Sequence, residues 1–410
     1  MNNTVLLGWE FGANLGHAAK LASLSQALLA RGYRVVLVLK YPRRILPMLG
    51  AGSEHYELLQ APHCPRELVK SNSAKSVMEV LLNNGYDDAE TLGAMVGEWR
   101  DILQAHRPAV VVADYAPTLL LAARASSGYK PSKTILVGSG FGEIPEGAAL
   151  VDLTLSQERQ ARQLVDAEAR FVAVANVVAQ RFSLVPLHRF SDLYQVDHTF
   201  LCTVPELDFY TRPSAGNTYL GGLDVPPNLP EITWPDTAEP RVFAYIRAAS
   251  EGFFRVLEAL RRVRCESRVY APGLSAKDAA RYSSEHLKLL RAPVDMLAVV
   301  REVDMVIHHG GMGTFFPCLR YGVPCLVVPT QLEQQVLGWR AAELGVGLYV
   351  DPGEGIPAIQ HKIEVLLSEP RFEEAAELFM GRYGEWLPHG ALKRVCDYID
   401  SACAVAESSG

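Results

Sequence analysis

Short apolar runs alternate with helical patterns along most of the chain, and this alternation is the feature that most constrains the fold. Strand-length apolar runs in the first half occupy residues 4–8, 34–40, 108–115 and 133–140. Between the first two runs, residues 16–32 place Leu21, Leu24 and Leu28 on one helical face, with Gly32 suited to the cap. Strands that are apolar almost throughout are typical of parallel sheets covered on both faces. The sequence therefore predicts an α/β fold.

A proline-rich stretch interrupts this alternation in the middle of the chain. Residues 221–240 contain five prolines, which exclude regular structure and indicate a linker between domains. Strand-length runs then resume at residues 241–246, 267–272, 303–309 and 324–329, with helices expected near 250–264, 313–321 and 333–344. The chain has 410 residues, which is more than one hydrophobic core usually serves. Two domains are therefore expected.

We predict two Rossmann-like α/β domains with mostly parallel sheets that face an interdomain cleft. The expected boundaries are 1–222 for the N-terminal domain, 223–240 for the linker, 241–384 for the C-terminal domain and 385–410 for a helical tail that can cross back to the N-terminal domain. Ligands of open parallel sheets bind beyond the carboxyl ends of the strands. Two glycine-bearing turns, at residues 8–17 and 308–314, follow strands and precede helices. Both turns are therefore expected at the cleft.

The composition bears on partners and location. The formal net charge of −7 argues against nucleic acid as the main partner, because phosphate binding favours a basic surface. Seven scattered cysteines without a Cys-x-x-Cys pair are typical of free thiols in a reducing compartment. The N-terminus lacks a basic region before an apolar core, and the longest apolar runs are strand-length. We therefore expect a cytoplasmic protein without stable membrane insertion, either a monomer or a homodimer.

The turn "HHGGMGT" at residues 308–314 has the composition of an anion site. Glycine lets a ligand approach the backbone closely, and a following helix offers free N–H groups at the positive end of its dipole. The candidate donors are the amides of Gly311, Met312, Gly313 and Thr314, the Thr314 hydroxyl and the His309 imidazole. The motif is neither the dinucleotide nor the Walker pattern, so an NAD or ATP enzyme is not indicated. The structural alternative is a turn that only permits close strand–helix packing.

The residues around this turn resemble a known family. Glu333 and Gln334 follow the next predicted strand, where acidic and amide groups can bind sugar hydroxyls. Residues 307–347 resemble the donor-binding signature of the UDP/TDP-glycosyltransferase family with the GT-B fold. The resemblance is closest to the bacterial natural-product branch that glycosylates macrolides and glycopeptides. Residues 16–38 and 108–115 resemble the family more loosely.

The resemblance implies inverting transfer of a sugar from a nucleotide-diphosphate donor to a small-molecule acceptor. It implies that His309 and Thr314 contact the diphosphate and that Glu333 and Gln334 hold the transferred sugar. No Asp-x-Asp motif occurs in the chain, so metal-assisted departure of the diphosphate is not expected. Neither a metal nor another cofactor is expected.

Two positions depart from the family pattern. Pro317 stands where many members carry a glutamate that grips the ribose hydroxyls, and proline has no side-chain acceptor. Arg291 stands at the position of the aromatic residue that stacks on the base, with Val294 in the same donor-binding segment. A guanidinium plane can also stack on a base. The missing ribose contact favours a dTDP-sugar over a UDP-sugar.

His17 is the candidate catalytic base. It lies at the start of the first helix after a glycine-bearing loop, and an imidazole suits proton abstraction near neutral pH. Asp114 ends a later strand that is expected to lie nearby in the sheet, and in the family the matching aspartate orients the histidine. The alternatives are a solvent-exposed histidine and a helix N-cap. His63 and His308 are weaker candidates, and His308 is expected to pack behind the glycine turn.

Three other functions fit parts of this pattern. Two are GT-B enzymes, namely a lipid-linked sugar transferase and a nucleotide-sugar epimerase. The third is a non-catalytic nucleotide-sugar-binding or auxiliary protein, and such proteins often lose the base. The acceptor pocket is expected within residues 62–100 and 140–200.

Overall fold

The computed structural model describes residues 3–12, 15–50, 53–64, 76–145, 159–223 and 229–408. The chain divides into two compact units, one of Met1–Val225 with Pro388–Gly410 and one of Pro226–Leu387. Each unit contains one sheet in which the paired strands are parallel. The prediction of an α/β fold with parallel sheets is confirmed.

The first unit is built on a seven-stranded sheet in the order β3-β2-β1-β4-β5-β6-β7. Its strands are β1 Thr4–Trp9, β2 Arg34–Leu39, β3 Glu57–Gln60, β4 Val110–Asp114, β5 Lys133–Gly138, β6 His198–Leu201 and β7 Asn217–Tyr219. Its helices are α1 Leu15–Ala30, α2 Pro42–Leu49, α3 Val77–Leu81, α4 Ala89–His106, α5 Pro117–Ala123 and α6 Arg159–Arg181, with the C-terminal helix, Pro388–Ser408, labelled α14 below.

The predicted apolar face of α1 is buried against this sheet. Leu21, Leu24 and Leu28 have no exposed surface, and burial of each such side chain stabilises the fold by about 1.5–3 kcal/mol. The helix ends at Ala30, and Gly32 adopts a positive φ of 84° that glycine tolerates without strain. The sequence therefore predicted this helix and its end correctly.

The second unit is built on a six-stranded sheet in the order β10-β9-β8-β11-β12-β13. Its strands are β8 Arg241–Tyr245, β9 Glu266–Tyr270, β10 Leu287–Leu290, β11 Met305–His308, β12 Cys325–Val327 and β13 Gly347–Tyr349. Its helices are α7 Phe253–Leu260, α8 Ala276–Tyr282, α9 Met296–Val299, α10 Met312–Tyr321, α11 Leu332–Glu343, α12 Ile356–Ser368 and α13 Pro370–Tyr383.

The segment before the second sheet belongs to the second unit, and the C-terminal helix belongs to the first. Residues 229–240 lack helix and strand, as their prolines predict, while residues 224–228 lie outside the described residues. Trp234 of this segment lies against the Arg268 guanidinium, 5.0 Å from the ring centroid. The C-terminal helix α14 packs on α1 within the first unit, where the Asp400 carboxylate accepts a hydrogen bond from Tyr33.

The two sheets share one topological feature. In the first sheet the chain order reverses between β1 and β4, and in the second it reverses between β8 and β11. The carboxyl ends of strands at such a reversal are where open α/β sheets bind ligands. Each unit therefore presents one favoured position for a functional site.

Candidate active site

The structure brings His17 and Asp114 together at the reversal of the first sheet. Asp114 is the last residue of β4 and pairs in register with Trp9, the last residue of β1. His17 lies in the first turn of α1, and its Nδ1 is 3.0 Å from Asp114 Oδ1 and 3.1 Å from Oδ2. Asp114 is fully buried, whereas 21% of the His17 side chain is exposed. The predicted pairing is present, and its catalytic role stays a prediction.

The surroundings of His17 orient its second ring nitrogen. An ionised Asp114 only accepts hydrogen bonds, so it selects the tautomer with the proton on Nδ1 and leaves Nε2 as the basic nitrogen. The Tyr115 ring stacks at 6.5 Å from the imidazole. Gly12 has a φ of 88°, and a Cβ at that position would lie 2.5 Å from Nε2 of His17. Glycine at position 12 therefore keeps the basic nitrogen uncovered.

Lys20 is a third member of this cluster that the sequence prediction missed. Its ammonium donates to Asp114 Oδ1 at 2.9 Å and is buried. Burial opposes the charge on both groups, but His17 and Lys20 outweigh it and lower the pKa of Asp114. Burial likewise lowers the pKa of Lys20, and the charge of Asp114 outweighs this effect and raises it. The sequence did contain a signal for Lys20. It lies three residues after His17, which puts both side chains on one face of α1.

Two further buried carboxyl groups follow strands of the same sheet. Glu10 follows β1 and accepts from the amides of Thr118 at 3.0 Å and Leu119 at 2.8 Å. Burial raises the pKa of Glu10 to about 7. Glu143 follows β5 and accepts from the Gly140 amide at 2.8 Å, and burial raises its pKa as well. Several ionisable groups are thus held out of water at the carboxyl edge of this sheet.

The glycine turn occupies the corresponding position in the second sheet. β11 ends at His308, Gly310 adopts a φ of 92°, and Gly311 is the N-cap residue of α10. A Cβ at Gly311 would meet no atom within 4 Å, so the space in front of the helix is open. Met312, Gly313 and Thr314 form the first turn of α10, as the sequence predicted. Helix amides at such a terminus favour an anion.

The two histidines of the turn are both held by the backbone. His308 is buried, its Nδ1 accepts from the Gly310 amide at 2.8 Å, and burial lowers its pKa to about 3. It packs behind the turn, as expected. Nδ1 of His309 donates to the Val328 carbonyl at 2.8 Å, and its Nε2 accepts from the Arg247 amide at 2.8 Å.

The hydrogen bonds of His309 bear on its predicted contact with a diphosphate, which stays a prediction. The imidazole was expected to offer an N–H group to a phosphate, but both of its nitrogens are already bound. Burial is the main cause that lowers the pKa of His309, and the nearby Arg247 charge adds to it. A hydrogen bond from His309 to a diphosphate therefore requires that the bond from the Arg247 amide opens and that Nε2 gains a proton.

Arg247 is a basic residue beside the turn that the sequence prediction also missed. It follows β8, whose residue Tyr245 pairs in register with His308. Its side chain is exposed, and its charge acts on His309. The sequence did contain a signal for Arg247. It is a cation two residues after β8, a strand at which the chain order reverses. The guanidinium can neutralise an anion bound at α10.

Glu333 and Gln334 lie in the first turn of α11, the helix that follows β12. Glu333 lies in the first turn of the helix, where an acidic side chain is stabilised by the helix dipole. Gln334 is buried, and its Oε1 accepts from the amide of Thr330 at 2.8 Å and from its hydroxyl at 2.9 Å. The Gln334 oxygen therefore shapes the loop, and only the side-chain nitrogen is left for a sugar hydroxyl. The sugar contacts of both residues stay predictions.

The remaining predicted donor residues lie in the same unit. Arg291 is exposed and Val294 is half-buried in the segment between β10 and α9, where the base contact is predicted. Pro317 lies inside α10, one turn beyond Thr314. His63, the other weak candidate for a base, is exposed in the first unit.

Two features are absent from the described residues. Within these residues no group of three or more His, Cys, Asp or Glu side chains could hold a metal ion. Over the same residues, no helix combines the length and the apolar character that crossing a membrane requires.

Solved structures identify the class of fold. The chain matches the glycosyltransferase of kitacinnamycin with a TM-score of 0.72, at 17% identity over 98% of both chains. It matches the glycosyltransferase VinC, crystallised in complex with dTDP, with a TM-score of 0.64 at 17% identity, over 96% of this chain and 99% of that one. The chain therefore has the GT-B glycosyltransferase fold.

Sequence relatives cover parts of this chain. Residues 283–382 match the model of the family described as erythromycin biosynthesis protein CIII-like, C-terminal domain. NDP-glycosyltransferase YjiC of Bacillus subtilis is 32% identical over 81 residues, which are 20% of this chain and 21% of YjiC. Zeaxanthin glucosyltransferase of Pseudescherichia vulneris is 25% identical over 238 residues, which are 56% of each chain. The chain thus spans between about a fifth and just over half of the length of these relatives. The predicted resemblance to natural-product glycosyltransferases is confirmed.

Proposed function

We propose that this chain is an inverting glycosyltransferase of natural-product biosynthesis. It transfers a sugar from a nucleotide-diphosphate donor to a hydroxyl or similar nucleophile of a small-molecule acceptor. The observation that carries the proposal is the pairing of His17 Nδ1 with the buried carboxylate of Asp114 at 3.0 Å. Burial of the Asp114 charge costs stability, and a protein that only binds its ligand has no need of it. An accessible imidazole oriented by a carboxylate suits a general base.

The chemistry assigns one task to each group. Nε2 of His17 takes the proton of the acceptor hydroxyl while the acceptor oxygen bonds to the anomeric carbon. The bond from that carbon to the diphosphate breaks at the same time, and the diphosphate leaves with the electron pair. Asp114 stabilises the imidazolium that forms. Attack on the face opposite the leaving group inverts the configuration of the anomeric carbon.

The second unit holds the donor in this proposal. The amides at the start of α10 bind the diphosphate, and the Arg247 guanidinium neutralises the charge that develops as it leaves. These preorganised donors supply the stabilisation that a metal ion would otherwise give, so transfer proceeds without a metal cofactor. Glu333 holds hydroxyls of the transferred sugar.

A dTDP-sugar is the favoured donor. Pro317 offers no acceptor for a ribose hydroxyl, so the additional hydroxyl of a UDP-sugar gains no contact there. The similar glycosyltransferase VinC is described in complex with dTDP, which supports the same choice. We also infer a reducing, cytoplasmic setting, because all seven cysteines are free thiols.

Nucleotide binding followed by turnover tests the proposal. We expect dTDP to raise the melting temperature more than UDP, GDP or ADP, since a ligand that binds the folded state stabilises it. A dTDP-sugar incubated with a panel of hydroxylated aglycones should then release dTDP and yield a glycoside of inverted configuration. Binding of dTDP-sugar without transfer to any acceptor would favour a binding or auxiliary protein. Interconversion of the free nucleotide-sugar would favour an epimerase, and a requirement for a lipid acceptor would favour a lipid-linked transferase.

A further inference from the structure

Lys20 is a buried cation in the first unit that the proposed mechanism does not use. It lies on α1 one turn after His17, with 6% of its surface exposed, and its Nζ is 2.9 Å from Asp114 Oδ1. An ammonium out of water is unfavourable unless it is paired. An apolar side chain at this position of the helix would pack without that cost, so the charge itself requires an explanation.

The carboxylate of Asp114 is shared between two neighbours. Its Oδ1 accepts from Lys20 at 2.9 Å and lies 3.0 Å from His17 Nδ1, which is also 3.1 Å from Oδ2. The pair formed by Lys20 and Asp114 is neutral as a whole. The imidazole therefore meets a carboxylate that keeps its hydrogen-bonding geometry while its charge is largely compensated.

Other ionisable groups surround this pair from the neighbouring elements. Glu143, after β5, acts on both Lys20 and Asp114. Cys202, after β6, acts on Lys20. Arg212 acts on Glu143 and is itself paired with Asp208 at 2.6 Å. Arg212 is thus neutralised by Asp208, and the ammonium of Lys20 is the lysine cation that contacts Asp114 directly.

We propose that Lys20 is a positioning residue that tunes His17 for proton abstraction through Asp114. This inference rests on the proposed function, in which His17 is the base. The ammonium keeps Asp114 ionised, so that Nδ1–H of His17 stays bound and Nε2 stays basic. It also offsets the carboxylate charge that would otherwise hold the imidazole in its protonated form, in which it accepts no proton.

The test removes the charge and keeps a hydrogen-bond donor at this position. Lys20→Gln replaces the cation with a neutral amide, whereas Lys20→Arg keeps a cation in place. Single-turnover transfer from a dTDP-sugar is measured between pH 5 and 9 for both variants and the wild type, with folding checked by circular dichroism. For Lys20→Gln we expect the acid limb of the rate profile to move up by about one pH unit, the effect of one charge a few ångströms away at intermediate dielectric. The Lys20→Arg limb should stay near that of the wild type.

A direct titration separates this inference from the proposed function. The ¹H–¹⁵N NMR signals of the His17 ring report its protonation in the free protein, whether or not it acts as a base. We expect His17 to titrate about one pH unit higher in Lys20→Gln than in the wild type. An unchanged His17 titration, or a rate loss that is the same at every pH, would overturn the role of Lys20. Normal turnover of His17→Ala would instead overturn the proposed function. If Lys20→Gln does not fold, Lys20→Met is titrated in the same way and with the same criteria.

Discussion

The imidazole of His17 stacks on the indole of Trp9, with ring centroids 5.3 Å apart and planes inclined by 17°. Trp9 is the last residue of β1 and is fully buried, so this contact fixes one face of the imidazole. The hydrogen bond from Nδ1 to Asp114 fixes its edge. Together the two contacts restrict rotation of the ring, so the Nε2 lone pair has a fixed orientation. A base held in this way loses little entropy when it reacts.

Gly12 should be required for this base. A Cβ at position 12 would lie 2.5 Å from His17 Nε2, and the φ of 88° is strained for alanine. Gly12→Ala is therefore expected to lower the single-turnover rate by about a hundredfold, as a small misplacement of a reacting group can. Gly16→Ala is the matched control, because a Cβ there meets nothing within 4 Å. Equal rates for the two variants would mean that Nε2 is not the reacting atom.

The glycine turn should separate binding from folding. Gly311 has an ordinary φ of −78° and open space around its Cβ position, so Gly311→Val should fold. Its side chain would fill the space in front of α10, and calorimetry should detect no binding of dTDP. Gly310→Ala is expected instead to destabilise the unit by about 1–3 kcal/mol, because its φ is 92° and its Cβ would lie 2.9 Å from Val327. A folded Gly311→Val variant with normal dTDP affinity would exclude this turn as the phosphate site.

Arg247 should contribute to diphosphate affinity. Its guanidinium lies exposed after β8 and acts on His309 at the turn. Arg247→Gln is expected to weaken dTDP binding about tenfold, the effect of losing one charge-assisted hydrogen bond, with little change for thymidine. The dTDP affinity of Arg247→Lys should lie between those of the wild type and Arg247→Gln, since lysine keeps the charge without the planar fork. Equal losses for dTDP and thymidine would show that Arg247 acts on the fold and not on phosphate.

The sequence predicts part of this site and not the rest, for physical reasons. Asp114 and His17 were predicted because a parallel sheet brings the end of β4 near the start of α1, and because the family resemblance pairs the two residues. Lys20 was missed because a helical lysine is exposed by default, and only the packed structure shows that this one faces Asp114. The hydrogen bonds of His309 depend on where the Val328 carbonyl and the Arg247 amide lie after folding, which no local pattern specifies.

The stability of the first unit should depend on pH through Glu10. The pKa of its buried carboxyl is about 7, above the value of 4.5 that it has when exposed. The folded state therefore binds this proton more tightly than the unfolded state does. The resulting contribution to stability is complete below pH 4.5 and is lost as the pH rises to 7. The loss amounts to about 3 kcal/mol at 1.36 kcal/mol per pH unit.

A comparison with Glu10→Gln isolates this contribution. The free energy of unfolding is measured by urea denaturation at several pH values between 4.5 and 8. The wild type should lose about 3 kcal/mol relative to Glu10→Gln over this range. Parallel pH profiles for the two proteins would show that Glu10 does not take up a proton on folding.

If His17 takes the proton from the acceptor, the rate of sugar transfer falls in the His17→Ala variant. The dTDP-sugar is saturating and the enzyme is in excess over the acceptor, so each acceptor molecule reacts in a single turnover. Product release therefore cannot hide the chemical step. We expect a rate about 10² to 10⁴ times lower than in the wild type, the usual contribution of a positioned base, with dTDP affinity unchanged. Asp114→Asn should also be slower, and the double variant little worse than His17→Ala, because the two residues act as a unit. Transfer by the His17→Ala protein at the wild-type rate would show that His17 is not the base.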